Sequence, residues 1–128
     1  MKPRILVAED DTIIAMELRI RLESAGYALV AVVSRAEDAV QKATETRPDL
    51  VLMDVRLRGG IDGIEAAARI RACCDVPVVY LTALADAETL QRAQSAGLAG
   101  YIVKPFDETQ LYLTIETALR GSRGHERA

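Results

Sequence analysis

The sequence predicts an α/β fold in which five short strands alternate with five helices and form a doubly wound parallel sheet. Three observations carry that expectation. The strand-like runs are continuously apolar rather than alternating, as strands buried on both faces are. Segments with helical spacing separate them, and glycine or proline punctuates most of the joins.

The elements follow in order. Ile5 to Ala8 is the first strand, and Thr12 to Ala25 carries the first helix, stopped by Gly26. Asp11 is placed to cap that helix. Ala28 to Val33 is the second strand, and Ser34 is the expected cap of a helix running to about Thr46. After the break at Pro48-Asp49, Leu50 to Met53 forms a third strand leading into Asp54. A glycine-containing loop precedes a helix from about Asp62 to Ala72. Val78 to Leu81 is the fourth strand, Asp86 to Ala96 a helix ending at Gly97, and Tyr101 to Val103 a short fifth strand. The turn Lys104-Pro105 leads to a last helix, Asp107 to Leu119, with Leu111, Ile115 and Leu119 on its core face. Tyr112 and Leu113 cannot both share that face, so at least one is expected on a partner or dimer surface. Residues 1–121 are read as one domain and 122–128 as a flexible tail or the start of a linker.

Composition narrows the function. A chain of 128 residues with 50% hydrophobic and 27% charged residues can bury its own core. A net charge of −3 gives no general attraction to nucleic acid or to an anionic membrane. No apolar run approaches the ~20 residues that span a bilayer, and no signal peptide is evident. Cys73 and Cys74 are adjacent, which suits neither a disulfide nor a zinc site, so they read as reduced thiols in a cytoplasmic protein. His125 is the one histidine and reads as a solvated residue of the tail. The first strand-to-helix loop, Glu9-Asp10-Asp11, has no glycine and carries the wrong charge to receive a dinucleotide pyrophosphate.

In doubly wound sheets function collects at the C-terminal strand ends. There the sequence places Glu9, Asp10 and Asp11 after the first strand, Asp54 after the third, Thr82 after the fourth and Lys104 after the fifth. Taken singly, Asp54 is as readily a loop or cap residue, Thr82 a cap and Lys104 a solvated lysine. Taken together they form a coherent chemistry. Clustered carboxylates repel, and a hard divalent cation such as Mg2+ relieves that repulsion. An ionised Asp54 can attack phosphorus. Lys104 and the metal can balance phosphoryl charge, and the Thr82 hydroxyl can donate to a phosphoryl oxygen.

The segments Ile5–Asp11, Pro48–Asp54, Asp62–Glu65, Pro77–Ala83 and Lys104–Phe106 resemble, in order, the motifs of the receiver domain of two-component response regulators. The likeness covers about residues 3 to 120. It implies the flavodoxin-like strand order 2-1-3-4-5 and a phosphorelay switch rather than an enzyme, with self-catalysed phosphorylation and dephosphorylation. It implies Asp54 as phosphoacceptor; Asp10, Asp54, the Arg56 backbone carbonyl and, through water, Glu9 as Mg2+ ligands; and Thr82 and Lys104 as phosphoryl-binding residues. It further implies Thr82 and Tyr101 as the switch pair and a cis peptide bond between Lys104 and Pro105. The implied donor is a histidine kinase or histidine phosphotransfer protein. The implied output is a changed surface around the last helices and strand, read by a downstream protein or by a second copy in a homodimer, with no direct nucleic-acid or membrane binding.

Two departures stand out. The loop from Val55 to Gly63 lacks the proline common after the acceptor and is longer by about a residue. Arg56 and Leu84, two residues beyond Asp54 and Thr82, occupy positions where a bulky cation and an apolar group could hinder the water that removes the phosphoryl group. Two other functional readings are weaker. A haloacid-dehalogenase-type phosphohydrolase wants a second aspartate where Arg56 stands. A pseudo-receiver would not need the acid, threonine and lysine set. Either a stand-alone receiver or a piece of a longer chain fits the sequence.

Overall fold

The computed structural model describes residues 2–57, 59–83 and 99–127, with the last helix described by its backbone alone beyond Gly121. The described elements are β1 (Arg4–Ala8), α1 (Thr12–Ser24), β2 (Ala28–Val33), α2 (Ala36–Thr46), β3 (Leu50–Asp54), α3 (Gly63–Cys74), β4 (Val78–Ala83), β5 (Gly100–Lys104) and α4 (Glu108–Arg127). The expected helix Asp86 to Ala96 and Leu84 lie outside the described residues.

The sheet is five-stranded in the order β2-β1-β3-β4-β5, and each neighbouring pair is parallel. Alternate side chains of the central strands feed two cores. Leu6, Ala8, Val51, Met53, Val78 and Tyr80 face α2 and α3. Ile5, Val7, Leu50, Leu52, Val79, Leu81 and Ile102 face Leu18 and Leu22 of α1 and Leu111, Ile115 and Leu119 of α4. Because both faces are covered, β3 is buried along its whole length. That is why its sequence shows no polar alternation.

The ends of the helices locate the site. Asp11 caps α1, its carboxylate accepting from Ile13 N and Ile14 N. Gly26, at φ 94°, closes the helix with paired bonds from Gly26 N to Glu23 O and from Tyr27 N to Leu22 O. Asp62 proves to be the cap of α3 rather than its first residue, and the helix continues to Cys74, where Asp75 turns left-handed at φ 51°. Ser34 does not cap α2. The N-cap is Arg35, extended at φ −123° and ψ 145°, with no side-chain cap bond. The link from β2 is one residue longer than expected, because Ala36 enters the core as the first helical residue.

The last helix begins beyond Asp107, whose Oδ1 accepts from Gln110 N at 2.7 Å. Its backbone continues as helix past the expected end at Leu119, through Gly121 and Gly124 to Arg127. No proline follows Leu119, and a helical glycine costs about 1 kcal/mol without forbidding the turn. Three contacts fasten α4 to α1 and the start of β2. Arg21 pairs with Glu108, the Tyr112 hydroxyl donates to Arg21 O at 3.1 Å, and the Tyr27 hydroxyl donates to Glu116 Oε2. Tyr112 is therefore partly buried against the core and Leu113 is the exposed one, at 60%.

Candidate phosphoryl and metal site

Four strand ends converge. Glu9 follows β1 and is held by its backbone, Glu9 N donating to Val33 O at 2.9 Å. Its Oε2 accepts from Asp11 N at 3.0 Å, which fixes the carboxylate above the sheet edge. Asp54 ends β3, and its Oδ1 accepts from Arg56 N at 2.9 Å. The β4–β5 register pairs Thr82 with Val103 and Ala83 with Lys104, so Lys104 returns over the same edge. Its ammonium sits 2.7 Å from Glu9 Oε1 and donates to Asp54 Oδ2 at 2.7 Å.

Glu9, Asp54 and Thr82 are buried, at 3%, 7% and 1% exposure. One carboxylate oxygen from each of Glu9, Asp10 and Asp54 lies within 4.8 Å of the others. Lys104 can neutralise only one of these three charges. Burial pushes the Glu9 carboxyl up to about 7, against the Lys104 bond, which pulls it down. Burial also works against the Lys104 charge, but the Asp54 and Glu9 carboxylates outweigh it and hold the ammonium above its ordinary value.

This all-oxygen, over-acidic donor set fits a hard cation such as Mg2+. Glu9 Oε1 is buried at a desolvation cost that the Lys104 ammonium, 2.7 Å away and shared with Asp54, only partly offsets. A divalent ion would relieve that cost.

The structure thus brings together Glu9, Asp10, Asp54, the start of the loop at Arg56, and Lys104. Thr82 stands at the same sheet edge with its hydroxyl engaged elsewhere, and Tyr101 is exposed. The Thr82 hydroxyl donates to Ala83 O at 3.3 Å rather than to Asp54. Tyr101 is 42% exposed on β5, its ring turned out. The Lys104–Pro105 peptide bond is cis. Cys73 and Cys74 are free thiols at the end of α3. Among the described residues no helix is long and apolar enough to cross a membrane.

The charge balance has a consequence for stability in magnesium-free buffer. The folded Glu9 carboxyl keeps its proton to about 7 while its ordinary value is 4.5. Between those values the folded state binds more protons than the unfolded state, so this group lowers stability as pH rises, by up to about 3 kcal/mol. Glu9→Gln is expected to remove that fall. Its stability relative to wild type, from urea midpoints, should rise between about pH 5 and about pH 8. A pH-independent difference would refute the buried-acid account.

An apolar strip on α1 is not evident from the sequence. Ile13, Met16 and Ile20 are 76%, 59% and 62% exposed and lie along one side of the helix that starts just after the acidic loop. With Arg21, Ser24 and Glu108 they line a cavity of about 500 Å3. Helical spacing alone could not flag it, because α1 also carries apolar residues on its buried side.

Comparison with known proteins agrees with this geometry. The family described as response regulator receiver domain matches residues 5–116. The chain is 40% identical over 116 residues to the transcriptional regulatory protein PdtaR of Mycobacterium tuberculosis, covering 91% of this chain and 56% of that protein. It is 38% identical over 120 residues to the DNA-binding response regulator MtrA of Mycolicibacterium paratuberculosis, covering 94% and 52%. The chain therefore spans about half the length of these curated relatives.

Among solved structures, the signal receiver domain of a modulated diguanylate cyclase from Desulfovibrio desulfuricans superposes with a TM-score of 0.92 at 39% identity, covering 98% of this chain and 99% of that one. The receiver domain of a sensor histidine kinase from Pseudomonas aeruginosa, solved with a magnesium ion coordinated in its active-site cleft, gives 0.84 at 31% identity, covering 93% and 98%. The fold, the convergent strand ends and these matches place the chain in the response regulator receiver domain family.

Proposed function

We propose that this domain is a phosphoacceptor switch of a two-component phosphorelay, with Asp54 as the accepting carboxylate. The observation that carries the reading is the buried Asp54 carboxylate, held on one oxygen by the Arg56 amide and on the other by Lys104, beside the acids Glu9 and Asp10. An Asp54 oxygen bonds to phosphorus as the P–N bond of a phosphohistidine breaks, and the leaving imidazole takes a proton from solvent. Asp10, Asp54, the Arg56 carbonyl and, through water, Glu9 would hold Mg2+. When bound, the ion supplies charge neutralisation at the phosphoryl oxygens. Lys104 is already in place to share that task. Thr82, bonded at 3.3 Å to its neighbour's carbonyl, gives up little by turning to a phosphoryl oxygen, and Tyr101 can then swing into the space Thr82 leaves.

In this reading the domain is no enzyme toward external substrates, since Arg56 stands where a phosphohydrolase would carry its general acid. It works in the cytoplasm, takes its phosphoryl group from a histidine kinase or phosphotransfer protein, and signals through the β5–α4 side to a downstream protein or a second copy. A receiver should gain one phosphoryl group from acetyl phosphate, seen by intact mass, only when Mg2+ is present. Turnover of external phosphoesters, or no uptake, would overturn the proposal.

The strip on α1 adds a partner surface. It begins beside Glu9, Asp10 and Asp11, so a helical protein presenting phosphohistidine to Asp54 would rest its apolar side on Ile13, Met16 and Ile20. The double change Ile13→Asp and Ile20→Glu is expected to slow transfer from a phosphorylated donor protein by about tenfold or more. Uptake from acetyl phosphate should be unaffected. Equal loss with both donors would reject the surface.

A further inference from the structure

The loop between β3 and α3 is tied at both ends. Val55 N donates to Leu81 O at 3.1 Å, and Gly63 N donates to Val55 O at 3.1 Å. Between those ties it carries Arg56, Gly59 and Gly60. It is met there by Glu37, from the first turn of α2. Glu37 Oε2 accepts from Gly60 N at 2.5 Å. The loop passes close to this exposed carboxylate. A Cβ on Gly59, which sits at φ 123°, would lie 2.0 Å from Glu37 Oε1, and one on Gly60 would lie 3.1 Å from Oε2. The same carboxylate accepts from its own backbone amide in a helix that has no side-chain cap. The Gly60 amide is the first reason its carboxyl is held below the ordinary value.

An exposed acid in the first turn of a helix is ordinarily explained by the helix dipole alone. That explanation does not account for the Gly60 amide turned to the carboxylate, or for Gly59 lying against it at a positive φ. From this geometry we infer that Glu37 is a positioning residue for the metal side of the site. It latches the β3–α3 loop to α2 and so fixes where the Arg56 carbonyl stands relative to Asp54. The inference rests on the proposed role of Arg56 and Asp54 in holding Mg2+.

The test compares Glu37→Ala, Glu37→Gln and the control Asp38→Ala, an exposed acid on the same turn. It uses Mg2+ affinity by calorimetry together with amide exchange of the loop in metal-free protein. Glu37→Ala is expected to speed exchange at Gly60 and its neighbours and to weaken Mg2+ binding about five- to tenfold. Glu37→Gln keeps one accepting oxygen and should restore most of both readouts. Asp38→Ala should match wild type. Unchanged affinity in Glu37→Ala while wild type binds Mg2+ would overturn the latch alone. An equal loss in Asp38→Ala would do the same. Wild type failing to bind Mg2+ would overturn the latch together with the site reading beneath it.

Discussion

Asp54→Asn is expected to abolish phosphoryl uptake from every donor while leaving a folded protein. The amide is no nucleophile toward phosphorus, and the remaining acids, Glu9 and Asp10, belong to the loop after β1 rather than to the end of β3. The hydrogen bonding shows what the change costs. Asp54 accepts on both oxygens, from Arg56 N and from Lys104 Nζ. Asparagine can accept on only one side, so either rotamer sets an N–H against a donor. That mismatch costs about 1–3 kcal/mol, and one negative charge fewer beside buried Glu9 offsets part of it. Intact mass after acetyl phosphate treatment and a urea titration check the two halves. A label persisting in Asp54→Asn would show that another group accepts. Complete unfolding would show that Asp54 holds the fold as well as the chemistry.

Gly63→Ala is expected to lower stability by about 3 kcal/mol. Gly63 is the first residue of α3 and lies directly against the end of β3. A Cβ there would fall 2.2 Å from the Asp54 carbonyl oxygen and 3.1 Å from Val55 Cα. Both neighbours are backbone, so no side chain can turn away. Either α3 lifts from the sheet, exposing Ile64, Ala67 and Ile70, or the strand end shifts and carries Asp54 with it. Urea midpoints measure the first outcome and the rate of acetyl phosphate labelling the second. Wild-type values in both would mean that the close approach is not maintained in solution. The same addition at Gly26 or Gly121 meets nothing within 4 Å, although Gly26 would still be strained by its positive φ.

Most of the fold was legible because its signals are local or one-dimensional. Leu50 to Met53 reads as a buried strand from four adjacent apolar residues. Asp11 before Thr12, and Gly26 after Ala25, mark helix ends through hydrogen bonds they make within a few residues. Sequence favours Ser34 as the cap of α2 because serine stands next to the actual N-cap, Arg35, and only the depth at which Ala36 packs decides between them. The site was legible as a list, since strand ends can be counted along the chain. Its pairing was not. That Lys104 bridges Glu9 and Asp54 depends on register across four strands, β1, β3, β4 and β5. Glu37 was invisible for the same reason: its partner lies 23 residues further along the chain, in a loop whose glycines gave no hint of what they fold around.

The fastening of α4 to α1 and β2 has a mechanical meaning. Arg21, Tyr27 and Tyr112 lock the N-terminal half of α4 against rotation, while the backbone continues in one helix to Arg127. The helix is therefore a shaft with a fixed angular phase. Anything joined to its far end is aimed by residue count, each added residue turning it by about 100° and advancing it about 1.5 Å.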